Sequence, residues 1–205
     1  MNTGYLVELI KKGTLNPDEL WKEESAKGYT IVNLIKFPIL PLITIVSLIA
    51  AVATLIFGYR VPFTNIAFHP SVSDTLLGFI GTIVMFIIGI VVYGWLSAYI
   101  ASLFGGNRDI NSGVLMMFLI SMPSLLGKAL GPLPYIGPLI AIVLSIYSLV
   151  LLYRAPVHFL GIAQENKTKQ FILFIIAGIV VSFLLALTIG TLFQPTVPAT
   201  MPTMQ

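Results

Sequence analysis

From Val114 to Tyr153 the chain carries a single charged residue, Lys128, in an apolar run about twice as long as the ~20 residues that one membrane helix needs. At its midpoint stands "GKALGPLPYIGP", residues 127–138, with three glycines and three prolines. Pro132, Pro134 and Pro138 lack backbone donors and clash with a continuing helix, while the glycines admit turn dihedrals. One helix through the whole stretch is therefore excluded. A water-exposed loop between two domains is excluded as well, because Lys128 is its only charge. The stretch reads as a hairpin. Span three covers about 114–130, Pro132, Pro134, Gly137 and Pro138 make the turn, span four covers about 137–153, and Pro123 kinks span three.

Three more apolar runs have the length of a membrane crossing. They are span one at about 37–58, span two at about 76–103 and span five at about 170–193. The chain is 57% hydrophobic and 9% charged, against about 25% charge in soluble domains. Such a chain has too little polar surface to cover a water-facing globule. The expected fold is all-α: a polytopic membrane bundle of five transmembrane helices (31–193) with a short N-terminal amphipathic helical head (1–30) and a disordered tail (194–205). The first 30 residues are polar and show no cleavable signal peptide.

The head reads as two short helices. Leu6, Leu9 and Ile10 recur at helical spacing, and Lys11 and Lys12 close the first helix before Gly13. Asn16, Pro17 and Glu19 have the spacing of an N-cap, a first helical position and a capping-box partner for the second. Glu23 and Lys27 are placed for an i, i+4 pair. Leu20 and Trp21 either pack the second helix on the membrane domain or set Trp21 at headgroup level. Lys36 at the mouth of span one, and Tyr93, Trp95 and Tyr99 toward the end of span two, fit an interfacial belt.

Charge sets the orientation. With five spans and a cytoplasmic N-terminus, nine basic residues fall inside and only Arg60 and Lys128 outside. The nine are Lys11, Lys12, Lys22, Lys27, Lys36, Arg108, Arg154, Lys167 and Lys169. Treating 114–153 as one span would move Arg154, Lys167 and Lys169 outside and erase most of this bias. The C-terminus is accordingly expected outside.

No catalytic constellation is legible. The chain has no cysteine, and its two histidines, His69 and His158, fall on opposite sides of this topology. No carboxylate lies inside a predicted span, whereas carriers usually place an ionisable residue there. No metal, cofactor or nucleic-acid partner is expected. Small residues do recur at four-residue spacing: Gly178, Ser182, Ala186 and Gly190 in span five, Gly137, Ala141 and Ser145 in span four, and Ser97, Ala101 and Gly105 at the end of span two. Such faces let helices approach closely in lipid. They predict tight packing within the bundle, with homodimerisation through span five as a second reading.

In order, the chain shows "PDELW" (Pro17–Trp21) about a dozen residues before span one, "LFGGNRDINSG" after span two, "SMPSLLG" in span three, the Pro/Gly hairpin, and "SIYSLVLLY" in span four. This order resembles the Yip family, five-span proteins named for interaction with Ypt/Rab GTPases, over about residues 6–193. The closer resemblance is to the bacterial and archaeal branch, because the Asp-Leu-Tyr-Gly-Pro stretch of the eukaryotic branch is missing here. It implies an integral protein of a prokaryotic cell membrane. Two functions are expected. One is a non-enzymatic protein organising membrane, anionic lipid or partner proteins from a basic cytoplasmic face. The alternative is a small transporter or channel with its site near the proline-broken spans three and four.

Overall fold

The computed structural model describes residues 3–60 and 67–188. Five helices are long and apolar enough to cross a membrane: span one Ile31–Phe57, span two Val72–Leu103, span three Ile110–Leu130, span four Gly137–Phe159 and span five Gln164–Thr188. Before them stand head helices α1 (Thr3–Leu15) and α2 (Pro17–Ser25). The chain is thus an all-helical polytopic bundle. Among the described residues, the one departure is a ribbon at the far end of spans one and two, β1 (Tyr59–Arg60) antiparallel to β2 (Ala67–Phe68). Gly190 and the tail lie outside the described residues.

Several spans start earlier or end later than their apolar runs, because local caps set where a helix begins. Span one starts at Ile31, where the Thr30 hydroxyl accepts the Asn33 amide at 3.3 Å. Span two starts at Val72, with Ser71 accepting from Asp74 at 3.1 Å. Span three starts at Ile110, where the Asp109 carboxylate accepts from Asn111 and Ser112. Polar caps carry no hydropathy signal but satisfy the orphan amides of a first turn.

Proline breaks two spans. In span one, Phe37 is extended (φ −162°, ψ 123°) before Pro38, as a residue preceding proline prefers. Span three breaks at Ser121, and Pro123 opens its second segment, Met122–Leu130. Between spans three and four, residues 131–136 make the turn. Tyr135 takes a positive φ of 65°. A Cβ on Gly137 would collide with the Leu130 and Gly131 carbonyls, so glycine is required where span four departs.

Span three is the axis of the fold. Of its most apolar window, 61% is buried by protein, against 6% for span five. Phe118, Leu119, Met116 and Met122 are wholly buried there. At the head end the packing is backbone on backbone. A Cβ on Gly94 of span two would lie 2.6 Å from Val114 Cα, and one on Gly113 would strike the Gly94 carbonyl.

The head is docked rather than tethered. Leu6, Leu9, Leu20 and Trp21 are all at most 2% exposed. In α1, Gly13 sits so close to the break in span three that an added Cβ would lie 2.6 Å from Met122 Cγ. At the other end of α1, Tyr5 stacks on Phe37 at the kink of span one, 5.6 Å between centroids.

Candidate functional site

Two places concentrate polar groups. The first is the head-end platform. Pro17 opens α2 as expected, but the Asn16 side chain makes no cap bond, so the capping box does not form. Glu19 turns instead toward Lys12, which also pairs with Glu8 and Glu23. Lys27 pairs with Glu24 at 2.7 Å rather than with Glu23. Glu24 is 2% exposed and also accepts from the Tyr5 hydroxyl at 2.8 Å and the Tyr29 hydroxyl at 3.0 Å. Burial first, then the bonds to Tyr29 and Glu24, push the Tyr5 phenol far above its ordinary value. For Lys27, desolvation pulls downward, but Glu24 outweighs it and the ammonium is held up.

Across the platform, Arg154 Nη2 at the end of span four grips Asp18 at 2.7 and 2.9 Å. Trp21 lies between His158 (5.5 Å) and Phe159 (5.9 Å). Trp21 is therefore a packing residue at 1% exposure, not a headgroup anchor. The prolines and cap signals that start α2 say nothing about depth, and an indole suits a core as well as an interface.

The second place is a cavity of about 670 Å³ at the end of the bundle remote from the head. Its walls are the last turns of spans one and three and the first turns of spans two and four. Lys128 and Asp74 stand on its lining near the helix ends. Ser47 and Thr82 line it farthest in, each ten residues from the end of its span, about 15 Å along a helix axis. That is roughly half of the ~30 Å hydrocarbon core. Ser47 is 3% exposed, and its hydroxyl, itself sealed from solvent, has no hydrogen-bond partner among the described residues. Alanines 50 and 51, Phe79 and Ile142 make the remaining wall largely apolar. Lys128 is exposed and makes no hydrogen bond or ion pair among the described residues. Asp74 accepts from the Ser71 hydroxyl at 2.7 Å. Among the described residues, no group of His, Asp and Glu is placed to hold a metal ion.

With this bundle in view, a profile of the Yip1 domain matches residues 12–190. The chain belongs to the Yip1 domain family. No curated protein and no solved structure matches it. The matched range of this Yip1 domain takes in α2, all five spans and the end of α1.

Within that frame the small-residue faces divide. Ser97 and Ala101 are wholly buried, but the closest approach in span two is made by Gly94 and Ala98 against Gly113. Gly105 is a turn residue at φ +79° with open space around it. Gly137 and Ala141 do meet span three: a Cβ on Gly127 would lie 3.1 Å from Ala141 Cα. Ser145 is exposed and bonds only its own helix, to the Ala141 carbonyl at 2.7 Å. Of the described members of the span-five face, Gly178 is buried, under the Tyr93 ring. Ser182 and Ala186 are exposed. Ser182 bonds the Tyr93 hydroxyl at 2.5 Å, which places Tyr93 between spans two and five rather than in an interfacial belt. Trp95 and Tyr99 are exposed and stacked, 5.7 Å apart, with Arg108 over Tyr99. Lys36 is exposed beside the kink of span one.

Proposed function

We propose that this Yip1 domain protein is a non-enzymatic organiser in a prokaryotic cell membrane, working from its head side, with the N-terminus cytoplasmic and the C-terminus outside. The observation that carries the reading is the docked head. Trp21, the Arg154–Asp18 pair and the buried Glu24 cluster hold α1 and α2 in one orientation on spans one, three and four. A rigid platform suits recognition, because a partner meets a surface that is already ordered. Lys12, Lys27 and Arg154 are spent on internal ion pairs. Lys11, Lys22, Lys36, Arg108, Lys167 and Lys169 have no acidic partner among the described residues, and they are the charges left for anionic lipid or an acidic protein face.

The test uses the cysteine-free chain in proteoliposomes. Cysteines at Thr3 and Thr203 are expected to label from opposite sides. K11E/K22E is expected to lower the anionic lipid that co-purifies with the protein while leaving insertion unchanged. Saturable solute flux that survives deletion of residues 1–28 would overturn the organiser.

One observation favours a second reading, a small transporter: the far-end cavity reaches about halfway through the bundle beside the broken span three. Against it stands the head end, where Gly94, Gly113 and Val114 close spans two and three backbone to backbone.

A further inference from the structure

The far-end cavity takes no part in the head-side reading. Its chemistry is graded. Both charged lining residues, Lys128 and Asp74, are near the helix ends, while the deep part, at Ser47 and Thr82, carries no charge. Apolar side chains fill the wall between. Ligand sites commonly combine such an apolar lining with a few placed polar groups, at volumes of roughly 300–1,000 Å³.

We infer that this cavity binds one phospholipid with a zwitterionic, amine-bearing headgroup, drawn from the leaflet opposite the head. The phosphate meets Lys128, which has no anion of its own among the described residues. The ammonium meets Asp74, whose carboxylate has only the Ser71 hydroxyl as side-chain donor among the described residues. The acyl chain lies along Ala50, Ala51, Phe79 and Ile142. A small soluble anion would leave that apolar wall empty, and a purely anionic lipid would bring its charge against Asp74. The occupant is therefore an amphiphile carrying both signs.

The experiment titrates the purified full chain in detergent with phosphatidylethanolamine, phosphatidylglycerol or inorganic phosphate, reading bound lipid by native mass spectrometry. The expected result is one tightly held phosphatidylethanolamine. K128M weakens it about tenfold or more, the loss of one charge-assisted contact, and K128R restores it. D74N removes the preference for phosphatidylethanolamine over phosphatidylglycerol. A51F fills the cavity without altering charge and abolishes the bound lipid while the protein stays monodisperse. Undiminished binding by A51F or K128M would overturn the site. So would displacement of the lipid by inorganic phosphate at equal concentration, since the cavity would then be a small-anion site. Solute flux and head-side lipid association are separate readouts, so failure here leaves the organiser reading standing.

Discussion

The two ends of span two both carry glycine and use it oppositely. At the head end, glycine brings backbones together, Gly94 on Val114 and Gly113 on Gly94, and lets the Met122 side chain close on Gly13. At the far end, Gly78 has nothing within 4 Å of where a Cβ would stand and lines a cavity instead. The head end has an extra layer, α1 and α2, which covers span three. Among the described residues, the far end has a ribbon of two-residue strands and the 131–136 turn. In lipid, a surface without a protein partner costs little, because acyl chains solvate it as well as leucine would. A cavity lined by Lys128 and Asp74 is different, because charges at the edge of hydrocarbon are costly without partners.

The contrast breaks most severely at Trp21. W21A removes the largest buried side chain of the head and is expected to cost about 3–5 kcal/mol, read as a lowered Tm in detergent and cleavage between α2 and span one by added protease. Next comes a pair of glycine substitutions. G94V is expected to overpack spans two and three and to cost about 1–3 kcal/mol or more. G78A at the far end is expected to leave Tm unchanged. Equal sensitivity of the two would erase the distinction between a closed end and an open one.

A third substitution, E24Q, leaves two tyrosine hydroxyls and Lys27 around a neutral amide, at an expected cost of about 1–3 kcal/mol. The same cluster has a pH signature. The folded-state pKa of Tyr5 is raised above its ordinary value of 10.0. Its contribution is therefore complete below about pH 10 and is lost as pH rises from there toward the raised value. A head-docking probe followed from pH 8 to 11 should fall in wild type, and Y5F should flatten part of that fall.

The smallest effects belong to span five. S182A gives up the bond to Tyr93 and is expected to cost about 0.5–1.5 kcal/mol. A186L, on an exposed position, is expected to stay within about 0.5 kcal/mol. A loss of several kcal/mol at Ala186 would mean that another copy of the chain covers this face.

The division of legibility follows from what each signal measures. Hydropathy and the Pro132–Pro138 punctuation settled five helices and the hairpin, because apolar length and missing backbone donors act locally whatever the neighbours are. Small-residue spacing was a weaker guide. It marked Ala141 and Gly178 but passed over Gly94, Gly113 and Gly13, because a face at regular spacing says that helices can approach and not which partner they meet. The sequence left Trp21 open between packing and headgroup level for the same reason: burial is decided by what lies across from the indole, here His158 and Phe159, 137 and 138 positions away in the chain.

By itself, then, the sequence determined the class, the five helices long and apolar enough to cross a membrane, and the absence of carboxylates from the predicted spans. Only the tertiary structure decided that the head is part of the core, that span three is the axis, and that Lys128, Asp74 and Ser47 share one cavity. Those three residues belong to three different helices. No local pattern joins them, and their meeting depends on how spans one, two and three cross at the far end.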